Sequence, residues 1–168
     1  MLPASEEASI GHPRIGMTVI RRGGQPDVPF MRSLLTHAYN WHVNRLDATV
    51  PIARYVDGWG RPGDTALLAI EGGHRIGAGW FRLFRESAPG YGFVDESTPE
   101  VTIVVVPSRQ GKGIGQLLLA GLAERAQADA YRALSVSVER HEVELYEALG
   151  FERLTEDGHA TTMRRTFG

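Results

Sequence analysis

The segment from Val101 to Leu119 constrains the fold more than any other part of the sequence. It begins with a β-branched apolar run, which is typical of a strand buried on both faces. Three glycines on alternate positions follow, Gly111, Gly113 and Gly115, and the apolar residues after them recur with helical spacing. A strand, a glycine loop and a helix start direct free backbone N–H groups and the positive end of a helix dipole at one point. The sequence therefore predicts an anion-binding site above the loop, and phosphate is the most common ligand of such a site.

Two familiar phosphate loops do not fit this segment. A magnesium-dependent P-loop needs Ser or Thr after Gly-Lys, but Gly113 follows Lys112. A dinucleotide fingerprint needs Gly-x-Gly-x-x-Gly near the beginning of a domain, whereas these glycines alternate and stand late in the chain. The pattern that remains is Gln/Arg-x-x-Gly-x-Gly/Ala, which Gln110, Gly113 and Gly115 satisfy. A binder of nucleotide phosphate and magnesium is thus the weakest of the alternatives.

A second motif lies downstream, where residues 145–151 match the pattern Leu-Tyr-x-x-x-Gly-Phe. Together the two motifs resemble the acetyl-CoA loop and the tyrosine helix of the GCN5-related N-acetyltransferase (GNAT) family. Order and spacing both fit, and the resemblance covers about residues 100–151 at motif level. One departure is Glu139, which stands seven residues before Tyr146 where many members carry an asparagine that bonds the pantetheine arm or the substrate.

The resemblance implies a GNAT-type α/β (α+β) fold, with a mixed, mostly antiparallel sheet of six to seven strands flanked by helices. A parallel, splayed pair of strands is expected at its centre. Local patterns predict helices from Asp27 to near Trp41, over Asn44–Tyr55, from the glycine loop to about Asp129 and over Glu142–Leu149. They predict strands at Thr18–Arg22, Thr65–Glu71, His74–Phe84, from Glu100 onward, and at Ala133–Val138, Phe151–Leu154 and Thr161–Thr166. Gly77 and Gly79 share one strand face, which predicts close approach by another element.

Composition limits the classes of protein that remain. The 168 residues suit one domain, which we expect at 16–168 after a flexible segment at 1–15. A net charge of −2 gives no electrostatic reason to expect nucleic acid or an anionic membrane as a partner. The absence of cysteine excludes disulfides and thiolate metal sites. No apolar run reaches membrane length and the first residues lack a signal-peptide layout, so a cytoplasmic protein is expected.

The reaction implied by the resemblance is attack of a primary amine on the thioester of acetyl-CoA, directly, in a ternary complex. At pH 7 only about one lysine-like amine in 2,500 is unprotonated and able to attack. Reaching this form adds roughly 4–5 kcal/mol to the barrier unless a base removes the proton. Glu100, at the start of the central strand, is the candidate base, acting directly or through water; a merely solvated carboxylate is the competing interpretation. Tyr146 is the candidate general acid, because the matching phenol of the family faces the CoA sulfur; a packed core tyrosine is the competing interpretation.

The remaining candidate residues divide between the cosubstrate and the acceptor. The backbone of the strand is expected to pair with the pantetheine amides, and the loop to bind the pyrophosphate. The cofactor-binding set is Val104, Val105, Val106, Arg109, Gln110, Gly111, Lys112, Gly113, Ile114, Gly115, Gln116, Glu139 and Tyr146. Candidate acceptor-pocket aromatics are Trp59, Trp80 and Tyr91, although core packing competes for Trp80. The cosubstrate that the resemblance implies is acetyl-CoA. The histidines show no metal-binding spacing, so no metal is expected.

Two questions stay open at this level. The acceptor could be a small amine, an amino acid, an antibiotic or a protein. A non-catalytic acyl-CoA-binding sensor or scaffold of the same fold is the alternative function, and Glu139 in place of the usual asparagine keeps that alternative open. Because dimers are common in the family, a homodimer is compatible with the sequence.

Overall fold

The computed structural model describes residues 14–37, 50–158 and 160–168. Its strands are β1 Arg14–Ile15, β2 Thr18–Arg22, β3 Thr65–Glu71, β4 His74–Arg82, β5 Glu100–Val105, β6 Ala133–Glu139, β7 Glu152–Asp157 and β8 Ala160–Thr166. Its helices are α1 Val28–His37, α2 Ile114–Ala128 and α3 Val143–Ala148. Single 3-10 turns occupy Gln25–Asp27, Ile52–Tyr55, Pro107–Arg109 and Arg140–Glu142. Within these residues no helix is long and apolar enough to cross a bilayer.

All the strands form one sheet in the order β1-β2-β3-β4-β5-β6-β8-β7. Every neighbouring pair is antiparallel except β5 and β6, which are parallel and share the single register pair Glu100 and Ser135. Beyond this pair the two strands separate, so the sheet is splayed at its centre. The predicted fold class is confirmed, with eight strands instead of six to seven because the two-residue β1 pairs with β2.

The two faces of the sheet carry different helices. One core cluster joins Met31, Leu34 and Leu35 of α1 to Trp80 of β4 and Val104 of β5. Another core cluster joins α2 and α3 to the other face; its members include Leu119, Leu122, Val101, Val136, Val138, Tyr146 and Phe151. The predicted close approach at Gly79 is confirmed, because a Cβ added there would lie 3.4 Å from the Leu118 Cβ of α2.

Several boundaries differ from the sequence-based predictions. The helix predicted over Asn44–Tyr55 is wrong in its described part, where only the 3-10 turn Ile52–Tyr55 follows Pro51. Residues 44–49 and Trp41, near which the first helix was expected to end, lie outside the described residues. The seventh strand is Glu152–Asp157 instead of Phe151–Leu154, and it begins later because the Phe151 N–H donates to the Tyr146 carbonyl at the end of α3.

Candidate active site

The glycine loop ends at the start of α2 in a conformation that only glycine adopts readily. Gly111 and Gly113 have φ angles of 75° and 82°, in the left-handed region that disfavours a Cβ. Gly113 is the N-cap residue, and no side chain caps the helix there. Since the first N–H groups of a helix have no partner within the helix, they are directed at the space above the loop.

That space is a cavity of about 440 Å³ between the start of α2 and α3. It brings together the two motifs that the sequence singled out, the glycine loop and Tyr146. The residues that line it are Ile103, Val105, Arg109, Gln110, Gly111, Gly113, Ile114, Gly115, Gln116, Leu119, His141, Glu142, Leu145, Tyr146 and Leu149. The sequence patterns missed Ile103, Leu119 and the α3-side residues, although Glu142, Leu145 and Leu149 share the helical face of Tyr146 by spacing.

Two side chains anchor the loop to the sheet. Gln110 donates its Nε2 to the Val105 carbonyl over 3.0 Å. Arg109 pairs with Glu71 at the end of β3, with N–O distances of 2.7 and 3.3 Å. This guanidinium holds the pKa of Glu71 below its usual value, and Lys112 adds to the effect. Lys112 itself is exposed and does not line the cavity.

Beyond Glu100 and Ser135 a gap opens between β5 and β6. The edge of β5 that faces this gap offers fewer backbone groups than predicted. Val106 donates its N–H to the Ile76 carbonyl over 2.9 Å, so its N–H is taken by the chain beside β4. Because backbone groups alternate in direction along a strand, Val104 also faces β4, whereas Ile103 and Val105 face the gap. Of the three valines predicted to pair with pantetheine, only Val105 is directed at the cavity, and Ile103 accompanies it.

Tyr146 lies at the α3 wall of the cavity with 8% of its surface exposed. Its ring packs edge-on against Phe151, with centroids 5.5 Å apart. Burial, followed by the nearby Glu142 charge, raises the pKa of Tyr146 well above its usual value. Burial likewise raises the pKa of Glu142, and Glu139 adds to that effect while His141 opposes it. The phenol is therefore protonated throughout the neutral range and can act as a donor.

Glu139 lies in a cluster with His141 and Glu142, in which one side-chain oxygen or nitrogen of each residue lies within 4.8 Å of the others. Its carboxylate lies 3.5 Å from His141 Nδ1, and His141 Nε2 lies 3.7 Å from the Glu142 carboxylate. His141 and Glu142 line the cavity, but Glu139 does not. Contact between Glu139 and the cosubstrate therefore stays a prediction, and Glu142 is the carboxylate whose charge acts on the Tyr146 phenol.

Glu100 is 3% exposed and is not among the residues that line the cavity. Its Oε2 accepts a hydrogen bond from the Tyr55 hydroxyl over 2.6 Å, and its Oε1 accepts one from the Gly92 N–H over 2.9 Å. Its side chain is on the α1 face of the sheet, because Ile103 and Val105 line the cavity on the other face and side chains alternate. The structure thus separates the candidate base from the cavity that contains the candidate acid.

The three aromatic residues proposed for the acceptor pocket lie apart from the cavity. Trp80 is fully buried and donates its Nε1 to the Tyr55 carbonyl over 3.1 Å, so the core interpretation holds for it. Trp59 is partly buried, with the Arg82 guanidinium 5.3 Å from its ring centroid. Tyr91 is also partly buried, and its N–H donates to the Tyr55 hydroxyl over 2.8 Å. Tyr91 therefore joins the network around Glu100.

Comparison with known proteins agrees with this geometry. The family model for the acetyltransferase (GNAT) family matches residues 28–151. A ribosomal-protein-alanine N-acetyltransferase from Brucella melitensis is similar in structure, with 23% identity, a TM-score of 0.65 and coverage of 88% of this chain and 99% of that one. A phosphinothricin acetyltransferase from Sinorhizobium meliloti, in complex with acetyl-CoA, has 19% identity and a TM-score of 0.64 and covers 91% and 90% of the two chains. The PaiA N-acetyltransferase from Thermoplasma acidophilum, in complex with coenzyme A, has 14% identity and a TM-score of 0.65 and covers 90% and 100%. A search of curated proteins found no match.

The splayed sheet, the uncapped helix start and the tyrosine of α3 define an acetyltransferase-type domain. Because the family model spans most of the chain, the protein belongs to the GNAT family of acetyltransferases.

Proposed function

We propose that this protein transfers an acetyl group from acetyl-CoA to a primary amine, by direct attack in a ternary complex. The observation that carries this proposal is the cavity of about 440 Å³ that joins the uncapped start of α2 to the buried phenol of Tyr146. Family membership and the cosubstrate complexes of structural neighbours support it.

The cavity suggests how the cosubstrate binds. The backbone N–H groups of residues 111–115 would hold the pyrophosphate, where the glycines allow close approach and the helix dipole favours an anion. The pantetheine arm would run along the gap-facing backbone of Ile103 and Val105, and the sulfur would come to rest near Tyr146. Arg109 lines the cavity but is ion-paired with Glu71, so the backbone N–H groups would provide most of the phosphate binding.

The chemistry then needs two proton movements. The amine nitrogen loses a proton and forms the new C–N bond to the acetyl carbonyl carbon, and the C–S bond breaks. Tyr146, which stays protonated until this step, would transfer its hydroxyl proton to the departing sulfur, so that coenzyme A leaves as the thiol and the phenol regains a proton from solvent. Glu100 does not line the cavity, and its buried carboxylate already accepts hydrogen bonds from Tyr55 and Gly92. It would therefore accept the amine proton through intervening water instead of by direct contact.

Calorimetric titration with acetyl-CoA tests the first half of the proposal, and the absence of micromolar binding would exclude it. A thiol-release assay over a panel of primary amines tests the second half. We expect Tyr146→Phe to lower kcat by roughly 100-fold or more, the scale of general acid–base catalysis, while the Kd for acetyl-CoA changes little. Tyr131→Phe is the matched control, because Tyr131 packs against Phe81 and does not line the cavity.

A non-catalytic acyl-CoA-binding module is the second candidate function. The observation that favours it is the separation of Glu100 from the cavity, together with glutamate at position 139. This function predicts tight acetyl-CoA binding with no thiol release above background for any amine in the panel.

The setting that we propose for the reaction is the cytoplasm, with no metal, nucleic acid or membrane as a partner. The net charge of −2 gives no electrostatic reason to expect nucleic acid or an anionic membrane. A homodimer is compatible with them, and sedimentation velocity would determine the oligomeric state.

A further inference from the structure

A second buried polar cluster lies at the start of β5, on the face of the sheet opposite the cavity. It consists of the Glu100 carboxylate, the Tyr55 hydroxyl and the backbone N–H groups of Tyr91 and Gly92. Tyr55 donates to Glu100 over 2.6 Å and accepts from Tyr91 over 2.8 Å, and Gly92 donates to Glu100 over 2.9 Å. Each carboxylate oxygen therefore has a donor, and the donors come from two separate segments of the chain.

The position of Tyr55 is fixed by packing as well as by its hydroxyl. Its residue surface is 1% exposed, and its ring packs edge-on against Phe84 with centroids 5.2 Å apart. Its carbonyl accepts the indole N–H of Trp80. Since the hydroxyl accepts the Tyr91 N–H, its own proton is directed at Glu100. Burial, followed by the Glu100 charge, raises the pKa of Tyr55 well above its usual value, so the phenol remains a donor.

The neighbouring charges are set by the strand register. Arg82, Glu100, Ser135 and Arg164 are paired in turn across β4, β5, β6 and β8, so their side chains share one face. Arg82 is ion-paired with Asp64 over 2.8 Å. The titratable and charged groups around Glu100 on the described elements include Tyr55, Arg54, Tyr91, Arg82, Asp64 and Arg164.

We infer that Tyr55 is a positioning residue for Glu100, whose hydroxyl orients the carboxylate and keeps it ionised for proton transfer from the acceptor amine. This inference rests on the proposed acetyl transfer. A carboxylate with two donors is stabilised in its charged form, and deletion of one donor in a buried site removes that stabilisation. The same network ties the carboxylate to the backbone of residues 91–92, because Tyr91 donates to the Tyr55 hydroxyl and Gly92 donates to Glu100.

The variant that tests this inference is Tyr55→Phe, assayed as kcat/KM against pH with the best amine of the panel. A reaction that needs ionised Glu100 loses activity toward acid, and loss of the donor should move this acidic limb to higher pH. We expect a movement of roughly 1 to 2 pH units. Tyr131→Phe, the same deletion at a tyrosine that packs on the opposite face of the sheet, should leave the acidic limb in place. A folded Tyr55→Phe enzyme with an unmoved limb would overturn the inference, even if its kcat falls.

A second measurement works without any catalysis. Side-chain carboxyl ¹³C resonances of the glutamates are titrated by NMR, and the Glu100 signal is identified by its loss in Glu100→Gln. Tyr55→Phe should raise the titration midpoint of this signal by a similar 1 to 2 pH units, and an unchanged midpoint contradicts the inference. If the wild-type protein turns over no amine, the proposed function fails, and the NMR midpoint alone decides whether Tyr55 controls the ionisation of Glu100.

If the Tyr55→Phe protein does not fold, replacement of Tyr55 by a fluorotyrosine provides an alternative test. A fluorinated phenol is a stronger hydrogen-bond donor, so the titration midpoint of Glu100 should move to lower pH, opposite in sign to the deletion. A midpoint that stays in place or rises would contradict the donor role of Tyr55.

Discussion

Replacement of Gly79 by alanine measures how closely α2 approaches the sheet. An added Cβ would lie 2.7 Å from Ile103 Cδ1, 3.0 Å from Leu122 Cδ1 and 3.4 Å from Leu118 Cβ. Both methyl groups would have to shift, and overpacking of this kind costs about 1–3 kcal/mol. Alanine offsets roughly 0.5–1 kcal/mol of this, because glycine in a strand loses more backbone entropy on folding. We expect a net loss of about 1 kcal/mol in the free energy of unfolding, or a fall of roughly 2–4 °C in Tm.

The assay is urea unfolding followed by circular dichroism, with the midpoint and the m-value fitted separately. Gly115→Ala, at the start of the same helix, is the control, because its Cβ would come no closer than 3.5 Å to Ile103 and should cost nothing. Ile103→Val removes the nearest methyl group, so the double variant with Gly79→Ala should show a favourable coupling of about 0.5–1 kcal/mol. A Gly79→Ala protein as stable as the wild type, with an unchanged m-value, would refute the close-approach argument.

Three further predictions concern stability. Ala130→Gly should raise the free energy of unfolding by about 1 kcal/mol, because Ala130 follows α2 with a φ of 66°; a lower Tm would contradict this explanation. Burial alone would raise the pKa of Asp27, but hydrogen bonds from Arg21, Arg75 and Gly24 outweigh it and leave that pKa well below its usual range. This stabilisation is present above a pH of about 4 and is lost as pH falls through the lower folded-state pKa, so Asp27→Asn should flatten the acid side of a plot of unfolding free energy against pH. Asp64→Asn leaves the buried Arg82 without its carboxylate and should cost about 3–5 kcal/mol in urea unfolding; a cost below 1 kcal/mol would mean that the pair is dispensable.

The sequence predicted the strand, loop and helix around Gly111–Gly115 well, because the signals there are local. The β-branched run, the glycine spacing and the helical period each depend on neighbouring residues alone. The same is true of α3, where the spacing around Tyr146 placed the phenol on a short helix before Phe151. The fold class followed from the order of these elements, and the structure confirmed it.

The parts that the sequence did not predict depend on register and on distant partners. The register of β5 against β4 decides which backbone groups of Val104, Val105 and Val106 face the gap. A shift of one residue in that register would turn the opposite set toward the gap. The burial of Glu100 depends on Tyr55, which is 45 positions away along the chain. Glu142 was not predicted as a site residue, because a glutamate at the start of a helix is usually exposed to solvent. Only the fold places it in the wall of the cavity with Tyr146.

The single register pair between β5 and β6 also has a mechanical consequence. Strands β1–β5 and strands β6–β8 are joined within the sheet almost entirely at Glu100 and Ser135, so few backbone hydrogen bonds resist their separation. In the free protein we expect amide hydrogens of β6 and β8 to exchange as a unit distinct from those of β3 and β4. A cosubstrate arm lying in the gap would substitute for the missing ladder, and its binding should slow exchange on both sides together.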